Sequence, residues 1–523
     1  MSTFVRTPCD TGAVQGRPCA RTIPSGPWTL AVAILGSSMA FVDGTVTTVA
    51  LPAMADELSA TAAQLQWVVE AYSLVLSSLV LVGGSLGDQM GRARTFAAGV
   101  AIVTMASAGC GLAPTMGVLI GLRAIQGLGA ALLVPGSLAL ISDAYAEDER
   151  GRAIGTWSAF SGIAAAIGPV VGGWFVEHQS WRWAFYINVP VGVLVLSMVA
   201  RLPRPAGRRP LAVDWTGAAL TSLGLAAIVY ALVDGSERGW THASTWSLLA
   251  AGVLCLALFV RVERRAAAPM LPLELFRSPT FAGANLLTFL LYAALGGALF
   301  FLPLYLIQVR GYAATEAGAA LLPFIALMFA LSRWMGGLVA RTGARLPLTV
   351  GPLIAAAGFA ALAVPGLSGS YWTAILPGVA VLGLGMAVTV APLTTAVMSS
   401  VPEARSGVAA GVNNAVARTA GALAIAAFGA VVGGVFGREL QSRVDARPVP
   451  AAARQVLLDQ TTKWAAAEVP ALGDPELEAA LRRDVDEAFL AGYRTVMGLA
   501  AVLALASAGS AAAFVRPPRS PEA

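Results

Sequence analysis

The chain carries a long series of apolar segments, each near the ~20 residues that a helix needs to cross a lipid bilayer. These segments recur from Trp28 to Val515, and most of the polar connections between them are short. Of the 523 residues, 57% are hydrophobic and only 12% are charged, whereas about 25% of the residues in a soluble domain are charged. The sequence therefore predicts an all-α membrane protein with no room for a large soluble domain.

The apolar segments predict fourteen transmembrane helices. Twenty arginines lie in one set of alternate loops and the two tails, and three lie in the opposite short loops, namely Arg182, Arg238 and Arg310. Because positively charged loops stay in the cytoplasm, both termini are predicted to be cytoplasmic. The predicted spans are 28–50, 65–86, 95–113, 117–142, 152–175, 183–200, 214–234, 243–261, 280–306, 313–339, 346–364, 371–398, 406–436 and 488–514.

The basic character of the chain does not indicate nucleic-acid binding, because the arginines are scattered through loops between apolar spans. The four cysteines show no metal-ligating or disulfide spacing. The two histidines are far apart, and no Gly-Lys-Ser/Thr element that cradles phosphate is present. We therefore expect no enzyme, no metal, no cofactor and no ATP-driven pump.

An internal repeat divides the chain. Residues 84–91 are echoed by residues 336–343 at an offset of 252, and the first and ninth spans begin 252 residues apart. Two six-helix halves are predicted around two inserted helices, with a substrate between the halves. The predicted divisions are a tail at 1–27, a first bundle at 28–201, the insertion at 202–279, a second bundle at 280–514 with an outer segment at 437–487, and a tail at 515–523.

Two expectations concern parts outside the halves. The inserted helices are expected to lie beside the transport path, with Asp214, Asp234 and Glu237 near their ends solvated. The outer segment 437–487 is polar with helical stretches, and it is interpreted either as a solvated cap or as a gate for the substrate.

Five motifs together resemble the major facilitator superfamily, and within it the fourteen-span branch of drug:proton antiporters. They are residues 35–52 in the first span, 84–94 after the second, 123–135 in the fourth, 162–173 in the fifth and 181–192 at the sixth. The resemblance implies alternating access in a bacterial cell membrane and export of a small lipophilic drug, antibiotic or toxin in exchange for protons. It leaves open an uptake symporter with the same fold. The partners implied are protons, the substrate and lipid, with a monomeric chain.

Asp43 and Arg123 are the predicted proton-coupling residues. Counting along the first and fourth spans at 1.5 Å per residue places both at a similar depth below the outer face. An ionised carboxylate inside an apolar helix is costly and is kept for a partner or a purpose. The pair is interpreted as a switch for which proton and substrate compete, or as a static brace between two helices.

The remaining candidates form three groups. A substrate cavity suited to a cationic aromatic compound is predicted from Glu70, Trp67, Tyr72, Asn285, Phe289, Tyr292 and Arg418, although Glu70 is equally interpreted as a wetted surface carboxylate. The resemblance implies a cytoplasmic gate at Gly84, Asp88, Gly91 and Arg92. It also implies an antiporter motif that closes the outer side against the tenth span near Gly336 and Gly337, or that simply packs, formed by Gly162, Gly168, Pro169, Gly172 and Gly173.

Overall fold

The computed structural model describes residues 26–145, 147–202, 214–238, 240–266, 269, 271–401 and 406–515. Helices connected by turns make up this part of the chain, and it contains no strand. Twelve of its helices are long and apolar enough to cross a membrane. The prediction of an all-α, multi-pass membrane protein is confirmed, while the number fourteen stays a prediction.

The first half consists of the helices that precede residue 203. Its bounds are α1 (Gly26–Leu58), α2 (Ala62–Met90), α3 (Arg92–Gly111), α4 (Met116–Ala144), α5 (Glu147–His178), α6 (Trp183–Tyr186) and α7 (Asn188–Val199). Thr61 and Gln64 form a capping box that begins α2, and the Thr115 side chain caps α4. These caps satisfy backbone N–H groups that the first turn of a helix leaves unpaired.

The inserted pair is α8 (Trp215–Arg238) and α9 (Ala243–Glu263). The two helices pack on each other, and α8 also contacts α2. Leu225, Val229 and Val233 of α8 form an apolar cluster with Leu74 of α2. One expectation fails here, because Asp234 is buried rather than solvated and accepts a hydrogen bond from Thr245 Oγ1 (3.1 Å).

The second half begins after the short 3-10 turn Leu273–Arg277. Ser278 caps its first helix, whose last turn becomes a π-helix at Tyr305–Val309. The last helix of this half packs against its first helix. The bounds are α10 (Pro279–Leu304), α11 (Ala314–Ala319), α12 (Leu322–Thr342), α13 (Arg345–Leu362), α14 (Tyr371–Ala374), α15 (Leu376–Ser399), α16 (Ser406–Asp445), α17 (Ala451–Asp459) and α18 (Pro475–Phe514).

The outer segment is shorter than the sequence predicted, because the helices on either side of it are 40 residues each. Arg443 and Arg447 at the end of α16 pair with Glu487 and Asp484 on α18, which holds the two extended helices together. The loop between them buries Trp464, whose ring packs against Phe301 (centroids 5.6 Å apart). The segment is therefore folded and makes its own apolar contacts, while its role as a cap or as a gate stays a prediction.

Candidate functional site

Asp43 and Arg123 form a buried ion pair inside the first half, with each side chain only 1% exposed. Asp43 accepts further hydrogen bonds at Oδ1 from Gln126 Nε2 (2.6 Å) and Asn188 Nδ2 (3.1 Å). Helices α1, α4 and α7 each contribute to this cluster. Matching depth in the sequence had predicted the pairing, and the structure brings the two side chains together.

Arg123 uses its planar fork to hold three acceptors at once. Nη1 contacts Asp43 and donates to Gln126 Oε1 (2.7 Å), while Nε donates to the Val68 carbonyl of α2 (2.9 Å). The guanidinium also lies over the Tyr72 ring, 4.5 Å from its centroid. A buried charge is tolerated only where such bonds replace its hydration.

The sequence interpretation missed two members of this cluster, Gln126 and Asn188. Both amides also donate to Ser107 Oγ on α3, at 2.8 and 3.3 Å. The signal was present, since Gln126 lies in the fourth-span motif and Asn188 in the motif at 181–192. Polar side chains inside a span, like charged ones, must find a hydrogen-bond partner within the protein, because lipid offers none.

Arg123→Lys is expected to destabilise the protein by roughly 1.5–3 kcal/mol, the value of one hydrogen bond to a charged group. An ammonium cannot reproduce the fixed fork that reaches Asp43, Gln126 and the Val68 carbonyl together. Thermal melting in detergent measures the effect. Arg182→Lys is the control, because the Arg182–Glu57 pair is partly exposed and such pairs contribute about 0–1 kcal/mol. Equal melting temperatures for the two variants would contradict the prediction.

Glu70 is fully buried in the seam between α2 and α16, so its interpretation as a wetted surface carboxylate is wrong. Neither of its oxygens makes a well-formed hydrogen bond among the described residues, although the Ala426 backbone amide is close. One turn earlier, Gln66 Nε2 donates across the seam to the Ile425 carbonyl (2.9 Å). Glu70 is thus a carboxyl group at the boundary between the two halves, where its ionised form would lack compensation.

A cavity of about 230 Å³ lies between α2, α10 and α16. It is lined by Ser73, Leu76, Tyr292, Leu299, Arg418 and Ile425, among others, and no residue of α8 or α9 reaches it. Tyr292 and Arg418 were predicted to line a substrate cavity, and the structure places both on this wall.

Five other predicted cavity residues are not part of this wall. Trp67 faces the inserted helix α8 and packs against Tyr230, with ring centroids 5.9 Å apart. Tyr72 is buried beneath Arg123, Asn285 accepts a hydrogen bond from Asn413 Nδ2 (3.2 Å), Phe289 is exposed, and Glu70 occupies the seam. Their assignment to substrate binding stays a prediction.

At the predicted cytoplasmic gate, Gly91 makes the turn between α2 and α3 with φ of +96°, a conformation that favours glycine. Arg92 pairs with Asp143 at the end of α4 (2.8 Å) and donates to the Ala139 carbonyl (3.0 Å). Gly84 lies on the last part of α2, whereas the side chain of Asp88 falls outside the described part of the structure. The contacts of Arg92 therefore connect α3 to α4.

The predicted antiporter motif faces two partners. Gly168 and Gly172 lie against Thr45 and Val46 of α1. Gly173 lies against the backbone of Ala314 at the start of α11, where a side chain would have no room. Around Gly162, no described atom outside the neighbouring backbone of its own helix lies within 4 Å of the position that a Cβ would take.

The two halves therefore meet through α5 and α11, on the side predicted to face outward. The Pro169 carbonyl lies against Gly318, and Thr315 Oγ1 donates to Glu177 (2.6 Å). The contact falls at the outer end of the predicted tenth span, whereas Gly336 and Gly337 lie outside the residues whose surroundings are described. The arrangement is closed on this side.

Residues 33–426 match the family model of the Major Facilitator Superfamily. The chain is 35% identical to the multidrug resistance protein Stp of Mycobacterium tuberculosis over 81% of its own length and 78% of that protein's. It is 34% identical to the tetracenomycin C resistance and export protein of Streptomyces glaucescens over 87% of this chain and 81% of that one.

The fold is similar to that of a bacterial homologue of the human lysosomal transporter Spinster, solved in an inward-facing, unoccupied conformation. The TM-score is 0.63 at 17% identity, and the match covers 95% of this chain and 99% of that chain. With three quarters of its length inside the family model, the chain belongs to the Major Facilitator Superfamily and is a membrane transporter rather than an enzyme.

Proposed function

We propose that the protein exports small amphipathic compounds in exchange for protons, by alternating access between its two halves. The observation that carries the proposal is the buried Asp43–Arg123 pair, a titratable group held away from water inside a transporter. Such groups within spans mark proton or substrate paths. The names of the relatives, which are drug resistance and export proteins, support the direction of transport.

In this mechanism Asp43 carries the proton. When the carboxylate is protonated it no longer attracts Arg123 as an ion, and Arg123 keeps only its neutral acceptors, the Val68 carbonyl and Gln126 Oε1. Because those acceptors belong to α2 and α4 while Asp43 belongs to α1, protonation loosens one helix relative to two others. Loss of the proton to the cytoplasm restores the pair.

Glu70 is a second candidate proton carrier. It lies where α2 of the first half meets α16 of the second, and the contact from Gln66 to Ile425 closes the same seam. Opening of the outer side separates these helices and brings water to the carboxyl group. A proton taken up there would then be carried into the closed state, where burial disfavours the ionised form.

The proposal includes fourteen spans with both termini in the cytoplasm of a bacterial cell, a monomeric chain and no cofactor. Helices α2 and α6–α7 stand at the second and sixth predicted spans and bring the twelve apolar helices to fourteen. The strong arginine bias between alternate loops supports the orientation. The energy source is the proton gradient itself.

Everted membrane vesicles test the exchange. With the vesicle interior made acidic, a compound identified by a resistance screen is expected to accumulate inside, and a protonophore should abolish the accumulation. Vesicles from cells that lack the protein provide the background. Movement of the compound out of the vesicles together with protons would instead establish an uptake symporter.

A further inference from the structure

The cavity between α2, α10 and α16 holds one fixed positive charge. Arg418 is the only lining side chain that is charged at neutral pH, and the rest are apolar or, like Ser73 and Tyr292, carry a hydroxyl group. A guanidinium in such surroundings is retained only for a partner or a purpose. The chemistry of the cavity therefore depends on what Arg418 can bind.

Arg418 has no acidic partner among the residues that the structure describes. Its Nε donates to a neutral group, Asn414 Oδ1, one turn earlier on α16 (3.2 Å). The two terminal nitrogens donate to no described group, neither is completely buried, and the residue lines the cavity. Two N–H edges of the planar fork thus remain available to a ligand.

The nearby carboxyl groups do not cancel this charge at the cavity wall. Asp43 is occupied by Arg123, Gln126 and Asn188. Glu70 lies in the seam and does not line the cavity. A cationic compound would meet Arg418 without a countercharge, which is why the cationic substrate expected from the sequence does not suit this cavity.

We propose that the compound carried in this cavity is a small amphipathic carboxylate. This inference rests on the proposed export function and specifies its substrate class. The carboxylate would accept two parallel hydrogen bonds from Arg418, a geometry that guanidinium groups favour. Its apolar body would lie against Leu76, Leu299 and Ile425. The volume of about 230 Å³ is below the ~300–1,000 Å³ of drug-sized pockets, so the body is limited to one or two rings.

The position of Tyr72 connects this cavity to the proton site. Its ring packs under Arg123, 4.5 Å from the guanidinium, and the next residue along α2, Ser73, lines the cavity. The proposed anion site and the Asp43–Arg123 pair therefore adjoin the same turn of α2. Exchange of an anion moving out for a proton moving in also transfers positive charge inward twice, so an inside-negative membrane potential drives both movements.

Three probes that share one ring system test the charge preference: 1-naphthoate, naphthalene-1-carboxamide and 1-naphthylmethylammonium. Purified full-length protein is titrated with each, and proton-driven movement is followed in proteoliposomes. Wild-type protein is expected to bind 1-naphthoate about tenfold or more better than the ammonium probe, because a hydrogen bond to a charged group is worth at least that factor. Equal binding, or preference for the ammonium probe, would overturn the inference.

Arg418→Gln is expected to lose the preference for 1-naphthoate while binding the neutral carboxamide as wild type does, which shows that the cavity is still folded. Arg418→Lys should keep part of the preference for 1-naphthoate, because the positive charge remains. The matched control is Arg438→Gln, on the same helix but exposed, which should bind all three probes as wild type does. Unchanged 1-naphthoate binding in Arg418→Gln contradicts the proposal.

The transport arm separates this inference from the function on which it rests. If a proton gradient drives movement of the ammonium probe but not of 1-naphthoate by the wild-type protein, the proposed export function stands and the inference of a carboxylate substrate is wrong. If the protein moves 1-naphthoate only down the concentration gradient of 1-naphthoate, whatever the proton gradient, the inference of a carboxylate substrate stands and the proposal of proton exchange is wrong. If it moves none of the probes, the substrate class is wrong.

Discussion

Asp43→Asn is expected to reduce proton-driven transport to the background of vesicles that lack the protein. The substitution keeps the side-chain volume and removes the group that titrates. It also places an amide among donors from Arg123, Gln126 and Asn188, so a donor must face a donor in either orientation. The measurement is proton-driven accumulation in everted vesicles at matched expression. Accumulation at the wild-type rate would remove Asp43 from the proton path.

A folding defect must be separated from lost coupling, because breaking a buried ion pair costs about 3–5 kcal/mol. The double variant Asp43→Asn/Arg123→Gln removes both charges and leaves neither one buried alone. It should recover much of the thermal stability and still fail to couple transport to protons. Asp445→Asn is the control for the chemical change, since Asp445 forms a partly exposed pair with Arg454 near the outer end of α16. That variant should transport normally.

Gly173→Val is expected to block transport by preventing closure of the outer side. A Cβ at Gly173 would overlap the Ala314 backbone, and backbone cannot move aside as a flexible side chain does. Overpacking of this kind costs about 1–3 kcal/mol, which reduces the population of the closed state relative to the open one by roughly 5- to 150-fold. Export of a screened compound and the rate of maleimide labelling at Thr315→Cys are the two measurements, and labelling from outside should become faster.

The control is Gly162→Val, the same substitution on the same helix. Gly162 has open space where Gly173 has backbone, so this variant should keep its transport and its slow labelling. If Gly173→Val behaved in the same way, the contact between α5 and α11 would be ordinary packing with no part in closure. Loss of transport in both variants with unchanged labelling would also count against closure.

The positive charge in the cavity and the proposed proton site belong to different parts of the protein. Arg418 and Asp43 lie on different halves, and the turn of α2 at Tyr72 and Ser73 adjoins both Arg123 and the cavity. In the proposed mechanism, substrate and proton therefore act on two different charged groups. The proposal differs in this respect from direct competition at Asp43.

The sequence alone determined the class of protein and the position of its main polar pair. Apolar length predicts membrane helices because lipid offers no partner for backbone groups, and the 252-residue offset predicts a division into two halves. The depth of Asp43 and Arg123 follows from the fixed rise of a helix. These properties depend on position along a helix, and the chain specifies that position residue by residue.

Only the tertiary structure decided which way each helix faces. In membrane helices both the lipid face and the packed face are apolar, so periodicity does not indicate the buried side as it does in soluble proteins. For this reason the sequence did not show that Trp67 packs against Tyr230 of α8, and Gln126 and Asn188 were missed. Helix rotation is set by contacts between helices distant in sequence, which the local sequence does not contain.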